Sequence, residues 1–164
     1  MAVRPILRWP APVLRQTAAP VEAITDDIRA IWDDMIDTMD AMPGIGLAAP
    51  QIGVSLRLAV VDASKERGRA IRMANPEVLH ASVEEANGTE ASPCLPGVSG
   101  KVVRPRAVTV RYLNEAGQYD RRDLVLQWAR SCQHQIDHLN GKLYVDRLSR
   151  VKRDMLIKKS SKAR

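Results

Sequence analysis

Residues 133–139 read QHQIDHL, and this stretch decides how the rest of the chain is interpreted. His134 and His138 are four residues apart, so on a helix both imidazoles lie on one face, close enough to bind one metal ion. Hydrolases with this spacing commonly carry a glutamate directly after the first histidine, where it takes a proton from metal-bound water. Here that position is Gln135, whose amide cannot act as a base. The stretch therefore predicts a metal-binding helix with an altered catalytic residue.

The residues around this stretch predict a long helix from about Asp123 to Asn140. Its apolar positions give it a broad surface to bury, and they are Val125, Trp128, Ala129, Cys132, Ile136 and Leu139. An earlier helix is predicted by apolar residues that recur at helical spacing from Ile28 to Met39. It follows cap residues at positions 25–27.

Strand-like segments at residues 56–61 and 70–74 lie between the two helices, and residues 108–113 and 119–122 predict a hairpin. We also expect a short strand at 143–145. Residues 84–100 are rich in Glu, Gly, Pro and Ser and are interpreted mainly as a loop. The predicted fold class is α+β, with antiparallel β-strands packed around a long central helix that carries the histidine pair.

Charge divides the chain into a neutral body and a basic tail. The length of the chain, 164 residues, suits one hydrophobic core. We predict a single domain over residues 1–146 and a C-terminal tail over residues 147–164. A helix is one possible form of this tail. The tail carries a net charge of +7, and the remaining 146 residues carry −1. Such a tail favours an anionic surface such as RNA or the ribosome, and the alternative is a solvated terminus.

Hydropathy and cysteine content narrow the class of protein further. No run approaches the roughly 18 apolar residues of a membrane span, and the first residues show no signal-peptide core. Two cysteines, Cys94 and Cys132, do not make a disulfide framework. We therefore expect a cytoplasmic protein with reduced thiols, no membrane association and no specific DNA binding.

Three segments in order along the chain resemble the peptide deformylase family. Residues 44–51, GIGLAAPQ, match its motif G-x-G-x-A-A-x-Q, and residues 133–139 match Q-H-E-x-D-H-L except at Gln135. Between them, residues 90–97, EASPCLPG, stand where the family has E-G-C-L-S followed by x-P-G. The similarity covers nearly the whole chain and implies the family's α+β fold.

The resemblance implies a metal-dependent amidohydrolase that removes the formyl group from the initiator methionine of nascent proteins. In the family, one cysteine and two histidines hold a divalent transition metal, Fe(II) by resemblance, with Zn or Ni also possible. His134 and His138 would be the histidine ligands, and Gln51 would help to stabilise the oxyanion. Gly44 and Gly46 would let an N-terminal formylmethionyl peptide lie close to the backbone.

The middle motif aligns in two registers, which differ in the third metal ligand. The ungapped register keeps Glu90 and the Pro-Gly pair in place and puts Ser92 at the ligand position. Pro93, which has no N–H, then replaces the backbone oxyanion donor. The shifted register makes Cys94 the ligand and the N–H of Leu95 the donor. Positions 92 and 94 point to the same side of a strand, so a displaced backbone would also bring Cys94 toward the metal.

These departures predict a deformylase that is weakened or inactive, because Gln135 replaces the general base and Ser92 the thiolate ligand. The alternative is a non-catalytic paralogue on the same scaffold that binds peptides, or binds the ribosome through its basic tail. Asp137 has two possible roles, to orient a ligand histidine or to anchor the helix.

Overall fold

The central element is a helix, α2, at Leu126–Leu139, which carries the histidine pair. The structure of the protein is a computed structural model, and it describes residues 2–162. The other helices are α1 at Asp26–Ala41 and α3 at Arg150–Ser161. The strands are β1 at Gly46–Ala48, β2 at Leu58–Val61, β3 at Ile71–Ala81, β4 at Glu85–Ser92, β5 at Leu95–Pro105, β6 at Ala107–Leu113 and β7 at Tyr119–Val125.

The strands form two antiparallel sheets. Five of them pair in the order β1-β2-β3-β6-β7, and β4 pairs with β5 in a separate hairpin. The apolar face of α2, which includes Ala129 and Cys132, packs on the larger sheet against Met73 and Val110. This packing leaves the opposite face of α2 free to line a site.

Helix α1 packs on the other part of the larger sheet. Trp32 is fully buried, and its indole Nε1 donates a hydrogen bond to the carbonyl of Met73 at 3.2 Å. The helix begins where the Thr25 side chain accepts a hydrogen bond from the Ile28 amide, which satisfies a free N–H of the first turn. This agrees with the cap predicted at positions 25–27.

The structure confirms the α+β class and the hairpin around residues 114–117, and it corrects three local predictions. The predicted loop over residues 84–100 was wrong, because most of it forms β4 and β5. Helix α2 begins at Leu126 instead of Asp123, whose carboxylate lies on β7 and accepts a hydrogen bond from Thr109 at 2.6 Å. The predicted strand at residues 143–145 was also wrong, and a short 3-10 helix occupies Tyr144–Arg147.

Most of the basic segment after residue 147 forms α3, which rests on β5. Leu156 and Ile157 pack on the cluster formed by Leu95 and Val102, and the Ser160 hydroxyl donates to the carbonyl of Pro96 at 2.9 Å. The outer surface of α3 exposes two apolar residues, Val151 and Met155, among its basic side chains. Ribosome binding by this helix stays a prediction. No helix within residues 2–162 has the length and apolarity needed to cross a membrane.

Candidate active site

The two histidines of α2 face each other. Their Nε2 atoms are 3.2 Å apart, and His134 and His138 are 8% and 1% exposed. Two nitrogens that bind one tetrahedral ion at about 2.0–2.1 Å would lie roughly 3.3 Å apart. The pair therefore has the separation of two ligands on one metal.

Each histidine has a different environment at its other ring nitrogen. His134 Nδ1 lies 2.7 Å from Glu90 Oε1, the carboxylate–histidine contact that commonly orients a ligand imidazole. The His134 ring also stacks on Tyr144, with centroids 6.0 Å apart. His138 Nδ1 has no hydrogen-bond partner among the described residues. Burial, and then the nearby His134, hold the pKa of His138 well below its ordinary value, so its imidazole is neutral at pH 7.

Glu90, on β4, is the centre of a buried ionic network. Arg104 donates to both of its oxygens, at 2.6 and 2.8 Å, and Arg130 donates to Oε2 at 2.7 Å. Burial alone would raise the pKa of Glu90, but the hydrogen bonds from Arg104 and His134 outweigh it and hold that pKa below its ordinary value. Glu90 is therefore ionised and fixes the orientation of His134.

Asp137 anchors α2 to its surroundings. Its Oδ2 accepts from Arg104 at 3.0 Å and from Arg147 at 2.7 Å, and its Oδ1 accepts from Arg147 at 2.9 Å. These bonds tie the helix to β5 and to the segment before α3. Of the two roles considered for Asp137, its contacts with Arg104 and Arg147 are those of an anchor.

The glycine-rich segment, residues 44–51, packs closely against Gln135 at Gly46. Ser131 donates to the carbonyl of Ile45 at 2.9 Å, and Gln135 Nε2 lies 3.5 Å from the Ser131 hydroxyl. A Cβ atom at Gly46 would overlap both of these side chains. Glycine at this position therefore allows the helix to approach the first motif.

Replacing Gly46 with alanine is expected to lower the free energy of unfolding by about 1–3 kcal/mol, because the added methyl must displace Ser131 or Gln135. Urea unfolding measures the change. Gly44→Ala is the matched control, since its Cβ would meet only the flexible end of Met42 as a close contact. Equal stability of the two variants would contradict the close approach at Gly46.

Gln51 and Cys94 contact each other. Gln51 Oε1 accepts a hydrogen bond from the amide of Ala48 at 2.9 Å, and its Nε2 donates to Cys94 Sγ at 3.5 Å. The cysteine is 1% exposed, and burial raises the pKa of its thiol against the opposing hydrogen bonds from Gln51 and Ser92. Cys94 is consequently a protonated thiol at neutral pH, and the first-motif amide is directed at it.

Ser92 and Leu95 close the hairpin that carries the middle motif. They pair across a two-residue turn formed by Pro93 and Cys94. The Ser92 hydroxyl accepts a hydrogen bond from the amide of Cys94 at 3.3 Å. Ser92, Pro93 and Leu95 line a cavity of about 460 Å³, which His134 and Gln135 also line from the side of α2.

The described side chains do not complete a metal site of the expected kind. Within residues 2–162, no three His, Cys, Asp or Glu side chains are grouped so that they could hold one metal ion. The histidine pair fits as two ligands, whereas the sulfur of Cys94 is hydrogen-bonded to Gln51. A neutral serine hydroxyl at position 92 is a poor ligand for a transition metal beside imidazoles.

Sequence reasoning missed Arg104 and Arg130, which hold the site together. Arginine is rarely buried, and nothing local marks these two among the other basic residues. Only the tertiary pairing of β4 with β5 brings Arg104 to Glu90. The available signal was Glu90 in the middle motif, because a glutamate carried into a buried site needs a partner of opposite charge.

A helix with histidines at positions i and i+4 beside a cavity is an arrangement that metal-dependent hydrolases use. The sequence profile of one family, polypeptide deformylase, matches residues 3–154. The peptide deformylase of Acidobacterium capsulatum is 42% identical over 166 residues, which cover 99% of this chain and 96% of that protein. This chain belongs to the polypeptide deformylase family, whose members are metal-dependent and act on formylated nascent peptides.

Solved structures agree with this family assignment. A peptide deformylase from Legionella pneumophila superimposes with a TM-score of 0.93 at 42% identity, covering 98% of this chain and 95% of that one. The enzyme from Ehrlichia chaffeensis in complex with actinonin also gives 0.93, at 34% identity, with 99% and 98% covered. The similarity therefore extends over the whole described fold.

Proposed function

We propose that this chain binds the N-terminal end of a formylated peptide in the cleft beside α2 and hydrolyses the formyl group at most slowly. The observation that carries the proposal is Gln135, which lines the cavity next to His134 and whose Oε1 has no partner among the described residues. An amide at this point can accept a hydrogen bond from a peptide N–H. It cannot take up and return a proton.

The cleft is bordered by backbone segments along which an extended peptide can lie. It runs between the segment of residues 42–46 on one side and β4 with β5 on the other. Strand β1 is an edge of the larger sheet, so Gly46 belongs to an edge that a peptide can extend by one strand. Family membership supports formylated peptides as the ligand class.

We propose that the third metal-ligand position is weakened as well as the general-base position at Gln135. Ser92 lines the cavity, which supports the ungapped register in which serine replaces the family's cysteine. The donor set is then incomplete for a metal, so no step of the proposed function passes through one.

The oxyanion donors are affected in the same register. Pro93 follows Ser92 and has no N–H, and the amide of Gln51 donates to Cys94. Loss of one oxyanion donor costs about 10²–10³ in rate, and a general base contributes about 10²–10⁴. Such losses are not additive within one catalytic unit. Either of them alone would make hydrolysis slow.

The test measures formate release and peptide binding side by side, on a panel of formylated tripeptides that differ in the first residue. The Legionella pneumophila deformylase serves as a control with the same fold. We expect peptides to bind this chain while formate release stays at least about 10²-fold below the control. Formate release at the control rate would contradict the proposal, and so would an absence of peptide binding across the panel.

A further inference from the structure

Helix α2 presents an entirely polar face to the cavity. The residues of this face recur at positions i, i+3, i+4, i+7 and i+8, which is one side of a helix, and they are Gln127, Arg130, Ser131, His134 and Gln135. The walls on either side are largely apolar and include Ile45 and Leu95. We call this polar face of α2 the floor of the cavity. A bound side chain that reaches the floor therefore meets hydrogen-bonding groups.

Arg130 is a hydrogen-bond donor on this floor, and its side chain is held in place by hydrogen bonds of its own. It is 7% exposed, and its Nη1 donates to Glu90 at 2.7 Å and to the carbonyl of Val102 at 2.8 Å. Its Nη2 donates to the carbonyl of Ala86 at 2.8 Å. A guanidinium has five N–H groups, so the N–H of Nε and one N–H of Nη2 remain without a partner among the described residues.

The backbone around Arg130 is shaped to the guanidinium. A Cβ atom at Gly88 would lie 2.9 Å from both Cζ and Nε of Arg130, closer than such atoms approach. Glycine at this position therefore lets β4 lie directly against the guanidinium. The side chain is held rigidly, and its two free donors have fixed directions.

The charges around the floor leave an excess of positive charge. Both oxygens of Glu90 already accept hydrogen bonds, from Arg104, Arg130 and His134. Counted with Asp137 and Arg147, the connected network holds three guanidiniums and two carboxylates. Among the described residues that line the cavity, Glu90 is the only acidic one.

We infer that the floor of this cavity takes the carboxylate side chain of an aspartate or glutamate at the first residue of the bound peptide. The inference rests on the proposed function, because it takes a peptide N-terminus to be the occupant of the cleft. A carboxylate accepts from the free N–H groups of Arg130 in a charge-assisted hydrogen bond. An unbranched apolar side chain would remove water from those groups and give nothing in return.

The test ranks three formylated tripeptides that differ only in a first residue of similar length, namely formyl-Glu-Ala-Ser, formyl-Gln-Ala-Ser and formyl-Met-Ala-Ser. Titration calorimetry on the full chain gives their dissociation constants. We expect the glutamate peptide to bind about tenfold or more tightly than the methionine peptide, with the glutamine peptide between them. Equal binding of the three peptides, or tightest binding of the methionine peptide, would overturn the inference.

Two variants identify the residue responsible. Arg130→Met is expected to bring the ratio between the glutamate and methionine peptides close to one, whereas Arg121→Met, at an exposed arginine outside the cavity, leaves the ratio unchanged. An unchanged ratio in folded Arg130→Met would overturn the assignment to Arg130. If Arg130→Met does not fold, Gln127→Leu, on the same polar face of α2, is expected to reduce the ratio, and an unchanged or increased ratio would overturn the inference.

Failure of this inference and failure of the proposed function give different results. The inference fails on the ranking of the peptides by affinity, whatever the rate of formate release. The proposed slow hydrolysis fails on formate release at the control rate, whatever the ranking.

Discussion

Replacing Glu90 with glutamine is expected to lower the free energy of unfolding by about 3–5 kcal/mol, the usual cost of removing one partner from a buried ion pair. The side chain is 4% exposed, and its carboxylate pairs with Arg104, which is fully buried, and with Arg130. The neutral amide leaves two guanidiniums short of a counter-charge. It also presents an N–H₂ group to donors that need an acceptor.

Urea unfolding at pH 7 measures the effect of Glu90→Gln. The matched control is Glu66→Gln, which removes the same charge from an exposed pair with Arg69 and is expected to change stability little. A loss of less than about 1 kcal/mol in Glu90→Gln would show that the network does not stabilise the fold in the way its geometry indicates.

The contribution of Glu90 to the free energy of unfolding is expected to depend on pH. The pKa of Glu90 in the folded chain lies below its ordinary value of 4.5. The stability that its charge contributes is therefore complete above that ordinary value and is lost as the pH falls toward the lower pKa of the folded state. The difference in stability between the wild-type chain and Glu90→Gln should accordingly be constant from pH 7 to about pH 5 and shrink under more acidic conditions.

Introducing glutamate at position 135 and cysteine at position 92 together, as the family motifs have them, is expected to raise formate release by about 10²-fold or more over the wild-type chain. Gln135→Glu supplies a group that can take up and return a proton next to His134. Ser92→Cys supplies a thiol on the cavity wall, where a third ligand can join the two Nε2 atoms that lie 3.2 Å apart. The variant is assayed after anaerobic exposure to Fe(II) or Ni(II).

Gln118→Glu is the control for this experiment, because it adds the same charge at an exposed position in the turn between β6 and β7, away from the cavity. It should leave formate release at the wild-type level. If the double variant folds, binds metal and still releases formate no faster than Gln118→Glu, substitutions at positions 92 and 135 do not account for slow hydrolysis.

The parts of the fold that sequence reasoning predicted are those with a periodic apolar pattern. Helix α1 and most of α2 follow from apolar residues at helical spacing, because such a face must be buried. The β4–β5 hairpin was missed because Gly88, Pro93, Gly97 and Gly100 interrupt the strand signal. Pairing between the two strands and the buried ion pairs on them override that local preference.

The candidate site was only partly predictable for a related reason. His134 and His138 are neighbours on one helix, so their proximity follows from helix geometry, while their role as metal ligands stays a prediction. Arg104 and Arg130 reach Glu90 from positions 14 and 40 residues away, which no local pattern encodes. Whether Ser92 or Cys94 faces the cavity depends on a turn whose register the sequence left open.

The most direct test of the proposed incomplete hydrolytic centre is elemental analysis of wild-type protein purified without oxygen. We predict much less than about one transition-metal ion per chain, because among residues 2–162 the pair His134 and His138 has no third His, Cys, Asp or Glu grouped with it. Ser92→Cys should raise the content toward one. About one ion per chain in the wild-type protein, retained on dialysis, would contradict the absence of a competent third ligand.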